Sequence, residues 1–311
     1  MTQLSTDLGF VHEALLYAGE EEFVAETVPF IADGVAAGES VMVAVPGPKI
    51  DLLRGALGTT DESVVFVDMD EIGGNPARII PAWHDFLATR PAGAGPVRGI
   101  GEPIGPSRSR SALLECQRHE ALLNLAFADS PAWWLLCPYD VAALEPAVVE
   151  EAARSHPYLM HAGKRRASDT YTGAGPAALA EPFAKPRTPA DRLVFGEGML
   201  GRVRQFVIDA AGRRGLGPAH MGDLLLAVNE LATNSIRHGG GRGSLRVWSQ
   251  GDAVVCEVTD RGRVTDPLVG RRRPDREAEG GRGLWIVNQL CDLVEVRSTV
   301  DGTAIRVHKS K

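Results

Sequence analysis

Apolar and polar positions fall into two patterns, with a stretch between them that shows neither. In the first half, short apolar runs alternate with helical spacing. Ala14 to Tyr17 reads as a strand, followed by a helix carrying Phe23, Val28, Ile31 and Val35 on one face. Ser40 to Pro46 and Ser63 to Met69 read as buried strands, and a helix is expected from about Pro76 to Ala88. Pro96 to Pro103 reads as a further strand entering a loop, SALLECQRHEALLNLAF as a long amphipathic helix, and Ala132 to Asp140 as another strand. Strands separated by helices predict a mostly parallel sheet covered on both faces.

Lys164 to Asp191 lacks apolar periodicity and carries Pro176, Pro182, Pro186, Pro189 and two glycines, so it reads as an interdomain linker. Beyond it the order changes. RLVFGE reads as a strand, MLGRVRQFVIDAAGRRG as a helix, and HMGDLLLAVNELATNSIRHGG as a second helix ended by Gly239, Gly240 and Gly241. SLRVWSQGDAVVCEVTDRG predicts a hairpin turning at Gln250-Gly251-Asp252. GLWIVNQLC predicts a helix, and VEVRSTVDGTAIRVHK a second hairpin turning near Asp301-Gly302. Helices on one face of an antiparallel sheet make an α/β sandwich. The expected division is therefore 1–163, a linker at 164–191, and 192–311.

Composition sharpens this picture. The 311 residues suit two domains. Residues 1–160 hold 9 basic and 23 acidic side chains, a balance of −14, whereas residues 161–311 hold 24 and 17, a balance of +7. The longest apolar stretches, such as Ala132 to Cys137 and Leu224 to Val228, fall far short of the ~18 residues that cross a bilayer, and the N-terminus lacks the pattern of an export signal. A cytoplasmic protein with no membrane contact is expected. Cys116, Cys137, Cys256 and Cys291 are widely spaced in mostly apolar settings and read as buried free thiols rather than disulfides or zinc ligands. An acidic pI of ≈ 5.7 argues against direct nucleic-acid binding.

The candidate chemistry of the second half centres on NELATNSIRHGG. Glu230, Asn234 and His238 stand at i, i+4 and i+8, near one face of a helix whose Leu226, Leu231 and Ile236 call for burial. A carboxylate one turn from a carboxamide suits Mg²⁺, which takes few protein ligands plus waters and phosphates; taken alone, the helix reads equally as a solvated face with a glycine cap. Asp260 ends a strand and is followed by Gly262, where a carboxylate can accept from an exocyclic amine. Gly280-Gly281-Arg282-Gly283 opens the next helix, and its bare N–H groups suit phosphate. Between them, Arg263 to Glu279 reads as a lid in which Arg271, Arg272 and Arg273 form a solvated surface, with a phosphate sensor or a docking patch for an acidic partner as the lesser reading.

In this order, NELATNSIRHG, TDRG, GGRGLWIV and DGT resemble the nucleotide-binding boxes of the GHKL ATPase superfamily (Bergerat-type α/β sandwich) over about Arg192 to Lys309, and within it the anti-sigma-factor serine kinases. The resemblance implies ATP and Mg²⁺. It makes Glu230 the general base or water-positioning carboxylate, Asn234 the Mg²⁺ ligand, and Asp260 the reader of the adenine amine with Thr303 beside it through a water. Gly262, Gly281 and Gly283 would give the backbone close approach, and Arg282 a phosphate partner. At His238 a cap or packing role competes with a chemical one. The chain departs from the family in reading Arg261-Gly262-Arg263 after Asp260, where Asn or Glu followed by Gly-Pro-Gly is common.

In the first half, HEALLY, VRGIGEP, RHEALLN and LLCPYD resemble the MEDS sensory domain, a RecA-like or KaiC-like α/β unit, over about Gly9 to Leu159. After the strand ending at Val45 the chain reads Pro46-Gly47-Pro48-Lys49-Ile50-Asp51, without the GxxxxGK[ST] phosphate loop, so ATP hydrolysis there is not expected. Candidate contacts to an unknown small ligand are His12, Tyr17, Arg98, Glu102, Arg118, Glu120 and Asp140. Several fall at predicted strand ends or helix starts; buried structural pairs are the rival explanation for Arg118, Glu120 and Asp140, and a satisfied core position for His12.

Together the resemblances imply a regulator that sequesters a sigma factor, phosphorylates Ser/Thr of an anti-anti-sigma (STAS-type) partner, or does both, with a homodimer also admitted. Three rivals share the ATP site: a non-catalytic ATP-dependent binding module, a phosphatase of the same switch, and a sensor histidine kinase. The last would need His156 or His161, which flank Pro157, as its acceptor.

Overall fold

The computed structural model describes residues 9–90, 95–173, 183–274 and 281–311, apart from the side chains of Thr59 and Asp61. The chain divides into two compact units, Met1–Gly175 and Pro176–Lys311.

The N-terminal unit runs β1 (Phe10–Tyr17), α1 (Gly19–Ala36), β2 (Ser40–Val45), α2 (Gly47–Leu57), β3 (Val64–Asp68), α3 (Met69–Ile72), α4 (Ile79–Ala88), β4 (Val97–Gly101), α5 (Arg110–Ala126), β5 (Trp133–Asp140), α6 (Pro146–Ser155), β6 (Tyr158–His161) and β7 (Lys164–Ala167). The seven strands order as β3-β2-β4-β5-β1-β6-β7, all parallel except the β6–β7 pair. This is the mostly parallel α/β sheet expected. Strands β1 and β5 lie at its centre and are buried on both faces, which explains why they read as apolar runs rather than alternating ones. One core layer joins Leu15, Tyr17, Phe23, Phe30, Ile31, Val43, Leu53 and Leu136. Each such side chain contributes about 1.5–3 kcal/mol by leaving water.

Two differences from the expected elements have physical causes. Lys164–Ala167 falls within the stretch read as linker but forms β7, held by backbone pairing to β6 and by an ion pair between Arg165 and buried Glu13. All four of its residues are exposed, so no apolar signal announces the strand. At the far end of the same stretch, the Thr188 hydroxyl donates to Ser249 O at 2.8 Å and Phe183 lies under the guanidinium groups of Arg297 and Arg306. The middle of the stretch, 174–182, lies outside the described residues.

The C-terminal unit runs β8 (Asp191–Gly196), α7 (Leu200–Gly212), α8 (Pro218–His238), β9 (Arg242–Gln250), β10 (Ala253–Asp260), α9 (Arg282–Leu290), β11 (Leu293–Thr299) and β12 (Gly302–Ser310). Its sheet, β11-β12-β10-β9-β8, is antiparallel throughout. Val203 and Val207 of α7, Leu224, Val228 and Leu231 of α8, and Leu284 and Val287 of α9 pack with Leu245, Val247, Cys256, Val258 and Val307 of the strands. The result is the predicted α/β sandwich. Of the three α8 residues expected to be buried, Leu231 is buried and Ile236 packs at the core margin, but Leu226 is 46 % exposed: it lies half a turn from the Leu224–Val228 face that meets the core.

Candidate functional site

In the C-terminal unit, a groove of about 210 Å³ opens between α8, the end of β10, the start of α9 and β12. It is lined by Asn234, His238, Asp260, Gly262, Gly283 and Thr303 among others. One end is built on Asp260. The Ser235 hydroxyl donates to its Oδ2 at 2.6 Å and the Gly262 N–H to its Oδ1 at 2.8 Å, so both oxygens are fixed while each keeps a lone pair. Gly239 closes α8 against this carboxylate: a Cβ there would overlap it, standing 2.7 Å from Oδ1. The Thr303 hydroxyl, paired in register with Asp260 across β10–β12, donates to Gly262 O at 2.8 Å and ties the following loop to the sheet.

The other end is built on α9. Gly281 takes the left-handed φ of +75° as the N-cap, which turns the chain into the helix with its first N–H groups free of a side-chain cap. Glu230 and Asn234, one turn apart on α8, both reach the next glycine: a Cβ on Gly283 would stand 3.0 Å from Glu230 Oε2 and 3.2 Å from Asn234 Nδ2. A carboxylate, a carboxamide and a helix N-terminus thus meet at one end of the groove, and a braced carboxylate stands at the other. His238 is exposed at its rim.

Of the lid, residues 275–279 lie outside the described residues, as does Gly280. The described part corrects the reading of the arginine run. Arg271 is only 8 % exposed, because Gly270 at φ +72° turns the chain into contact with Leu284 and Asn288 of α9; Arg272 and Arg273 are exposed.

In the N-terminal unit the seven candidate residues separate into distinct places. Tyr17, Glu102 and Asp140 gather at the carboxyl ends of β1, β4 and β5 with Lys49 of α2, whose ammonium donates to Glu102 Oε1 at 2.5 Å and to the Tyr17 hydroxyl. Burial raises the Glu102 carboxyl above its usual range against the pull of Lys49, and burial with the Glu102 charge raises the Tyr17 phenol. Asp140 accepts from Ala142 N at 3.0 Å and shapes the turn after β5. Arg98 is a structural pair, donating to Glu39 at 2.5 Å and Phe30 O at 2.9 Å, and Arg118 pairs with Glu115 one turn away.

His12 and Glu120 belong to a different, fully buried cluster, together with Cys137 and His156. His12 Nε2 lies 3.2 Å from Glu120 Oε2 and 3.3 Å from Cys137 Sγ, and His156 Nε2 lies 3.3 Å from Glu120 Oε2. Burial, and then the nearby His156, push His12 down to about 4.

Comparison with known proteins now adds to the geometry. Residues 11–157 match the family model of MEDS, the methanogen/methylotroph DcmR sensory domain, and residues 197–309 match that of the histidine kinase-like ATPase domain. The serine-protein kinase RsbW of Halalkalibacterium halodurans is 32 % identical over 110 residues, 32 % of this chain and 68 % of the relative. The chain belongs to the RsbW serine-protein kinase family. RsbW of Bacillus pumilus is 29 % identical over 115 residues, 32 % of this chain and 71 % of that protein. A crystal structure of the RsbU and RsbW domains of Rv1364c from Mycobacterium tuberculosis aligns at 18 % identity with a TM-score of 0.31, over 40 % of this chain and 32 % of that one, so the chain spans about a third of its length.

As an RsbW-family chain with an added MEDS domain, the molecule makes poor provision for a phosphoacceptor histidine at the two positions considered. His156 is fully buried as the C-cap of α6, and His161 ends strand β6; neither lies on a long helix. Among the described residues, no helix is long and apolar enough to cross a membrane. Sequence reasoning missed Lys49, Cys137 and His156 as partners of the candidate residues. Lys49 sits in the Pro46–Asp51 stretch that was read only for its lack of a phosphate loop, and the other two come from elements over 100 residues away from, or unassigned beside, His12.

Proposed function

We propose that this chain is an ATP-binding anti-sigma regulator whose C-terminal domain holds a sigma factor and transfers the γ-phosphoryl group of ATP to a serine or threonine of a STAS-type anti-anti-sigma partner, under control of a small ligand at the N-terminal domain. The observation that carries this reading is the convergence of Glu230 and Asn234 on Gly283 at the α9 N-terminus, with Asp260 braced at the opposite end of the same groove. The serine-protein kinase names of the relatives support the direction of transfer.

Each residue has a definite task in this scheme. Asp260 accepts from the exocyclic amine of adenine, and its two braces keep the carboxylate from rotating away. Thr303 stands beside it for a water-mediated contact. Gly262 and Gly283 let the backbone approach, and the first N–H groups of α9 face the phosphates, with Arg282 as a cationic partner. The side-by-side carboxylate and carboxamide oxygens fit Mg²⁺, with Asn234 as the protein ligand; when bound, Mg·ATP supplies the phosphoryl group and the positive charge that offsets its oxygens. Glu230 takes the proton of the incoming hydroxyl, and the groove contributes mainly positioning. In the N-terminal domain, Tyr17, Lys49, Glu102 and Asp140 form the polar mouth at the strand ends where a small ligand binds.

The test is phosphoryl transfer from γ-labelled ATP to partners captured from the native cell with and without ATP. Sigma factors and their antagonists are expected among those partners, with label on the antagonist that both Glu230→Ala and Asn234→Ala abolish. Undiminished transfer by both variants removes the mechanism, capture of nucleic acid alone removes the regulator, and ATP-dependent sigma binding without transfer replaces the kinase with a pure sequestering module.

A further inference from the structure

We propose that His12, Glu120, Cys137 and His156 form a zinc-type metal site inside the N-terminal domain. The four come from β1, α5, β5 and the residue after α6, all are buried, and their ligating atoms lie within 4.8 Å of one another. Ligands ~2.0–2.3 Å from one ion at tetrahedral angles stand ~3.3–3.7 Å apart, close to the 3.2 and 3.3 Å separations found here.

The hydrogen bonds behind the two imidazoles decide which nitrogens face inward. Asn124 Nδ2 donates to Ser155 O at 2.7 Å, which fixes the amide so that its Oδ1 accepts from His12 Nδ1 at 3.2 Å. His156 Nδ1 lies 2.8 Å from Ala152 O, a group that only accepts. Both Nδ1 atoms therefore carry protons, and in the neutral rings both Nε2 lone pairs point at the carboxylate. Three electron-rich groups that face each other in a dry interior call for a cation between them. Glu120 Oε1 and His156 Nε2 are also buried without a hydrogen-bond partner. This is the outer-shell arrangement by which metal-binding histidines are oriented.

Charge and donor type narrow the ion. A divalent cation with one carboxylate, one thiolate and two neutral imidazoles sums to zero, the state that costs least inside a protein. The metal–sulfur bond forms as the Cys137 thiol releases its proton to solvent, so one proton leaves per ion bound. Nitrogen and sulfur donors favour zinc over magnesium or calcium, and four protein ligands complete a tetrahedron as in structural sites. The ion would cross-link the two central strands to α5 and to the chain after α6.

The test uses the full-length chain, stripped of metal by a chelator under reducing conditions and titrated with Co²⁺ and then Zn²⁺. One equivalent of Co²⁺ with tetrahedral visible bands and a thiolate-to-cobalt charge-transfer band is expected, displaced by Zn²⁺. Cys137→Ser should lose the charge-transfer band, Asn124→Ala should weaken zinc binding about 10–100-fold, and Cys116→Ser, a buried thiol elsewhere on α5, should leave both unchanged. As a readout that needs no variant to fold, Zn²⁺ should raise the melting temperature of the wild-type chain. No stoichiometric uptake and no change in melting overturns the site, as does a charge-transfer band that survives Cys137→Ser or vanishes in Cys116→Ser.

Discussion

The C-terminal domain keeps its acidic and amide side chains at the rim of an open groove, whereas the N-terminal domain draws comparable groups between its sheet and helices, where they face one another. Glu230, Asn234 and Asp260 are part-buried; Asn234 and Asp260 line the groove, and Glu230 stands beside Gly283 at its α9 end. Glu13 and Glu102 are buried and answered by Arg165 and by Lys49, respectively, and Glu120 is buried against two histidines. The first arrangement is ready for a ligand that brings its own charge. The second is already paired from within, so perturbing it changes the stability of the fold as well as any binding at the strand ends.

Substitutions in the two domains should therefore fail in different ways. The largest effect is expected from Glu230→Gln, which keeps shape but removes the base: transfer should fall about 10²–10⁴-fold while ATP affinity stays near wild type, as read by labelled transfer beside equilibrium binding. Next, Lys49→Met should leave Glu102 buried without its cation and destabilise the N-terminal domain by about 2–4 kcal/mol in a denaturant titration, with ATP binding unchanged. A variant with reduced ATP affinity and an unaltered unfolding midpoint would break the contrast. Gly239→Ala places a methyl against the Asp260 carboxylate, and ATP affinity should drop about 10–100-fold with the far-ultraviolet circular dichroism intact, in line with one charge-assisted hydrogen bond of about 1.5–3 kcal/mol.

The smallest effect belongs to the surface. Hydrogen bonds from Arg214 and Arg213 hold Asp191 below its ordinary carboxylate value of 3.8. A carboxyl whose value is depressed on folding adds stability above its unfolded value and loses it as the pH falls through the folded one. Arg214→Ala should thus cost less than about 1 kcal/mol near neutral pH. The gap between variant and wild type should close as the pH falls below the ordinary value of 3.8 and through the lower folded-state value, in parallel denaturant titrations.

How far each domain was readable from its sequence follows the same division. On α8, Glu230 and Asn234 are one turn apart, so helical spacing alone brings them together, and a strand end followed by glycine marks Asp260. In the buried cluster, His12 stands 108 positions from Glu120 and 125 from Cys137. Only the pairing of β1 with β5 and the packing of α5 join them, and no local pattern encodes that. Tertiary context also decided Leu226, exposed although apolar, and Arg271, buried although charged. Strand β7 was unreadable because its residues KRRA carry no apolar face; its formation rests on the β6 backbone and on Glu13.

Under the proposed function, Asp260 reads an adenine amine from a fixed position in the C-terminal groove. The most direct measurement is a pair of equilibrium titrations of the full-length chain with ATP and GTP in the presence of Mg²⁺, repeated on Asp260→Ala. ATP should bind the wild type, GTP should bind at least about 100-fold more weakly because a carbonyl would face the carboxylate, and the variant should lose ATP binding. Equal affinity for the two nucleotides, or undiminished ATP binding by Asp260→Ala, would contradict it.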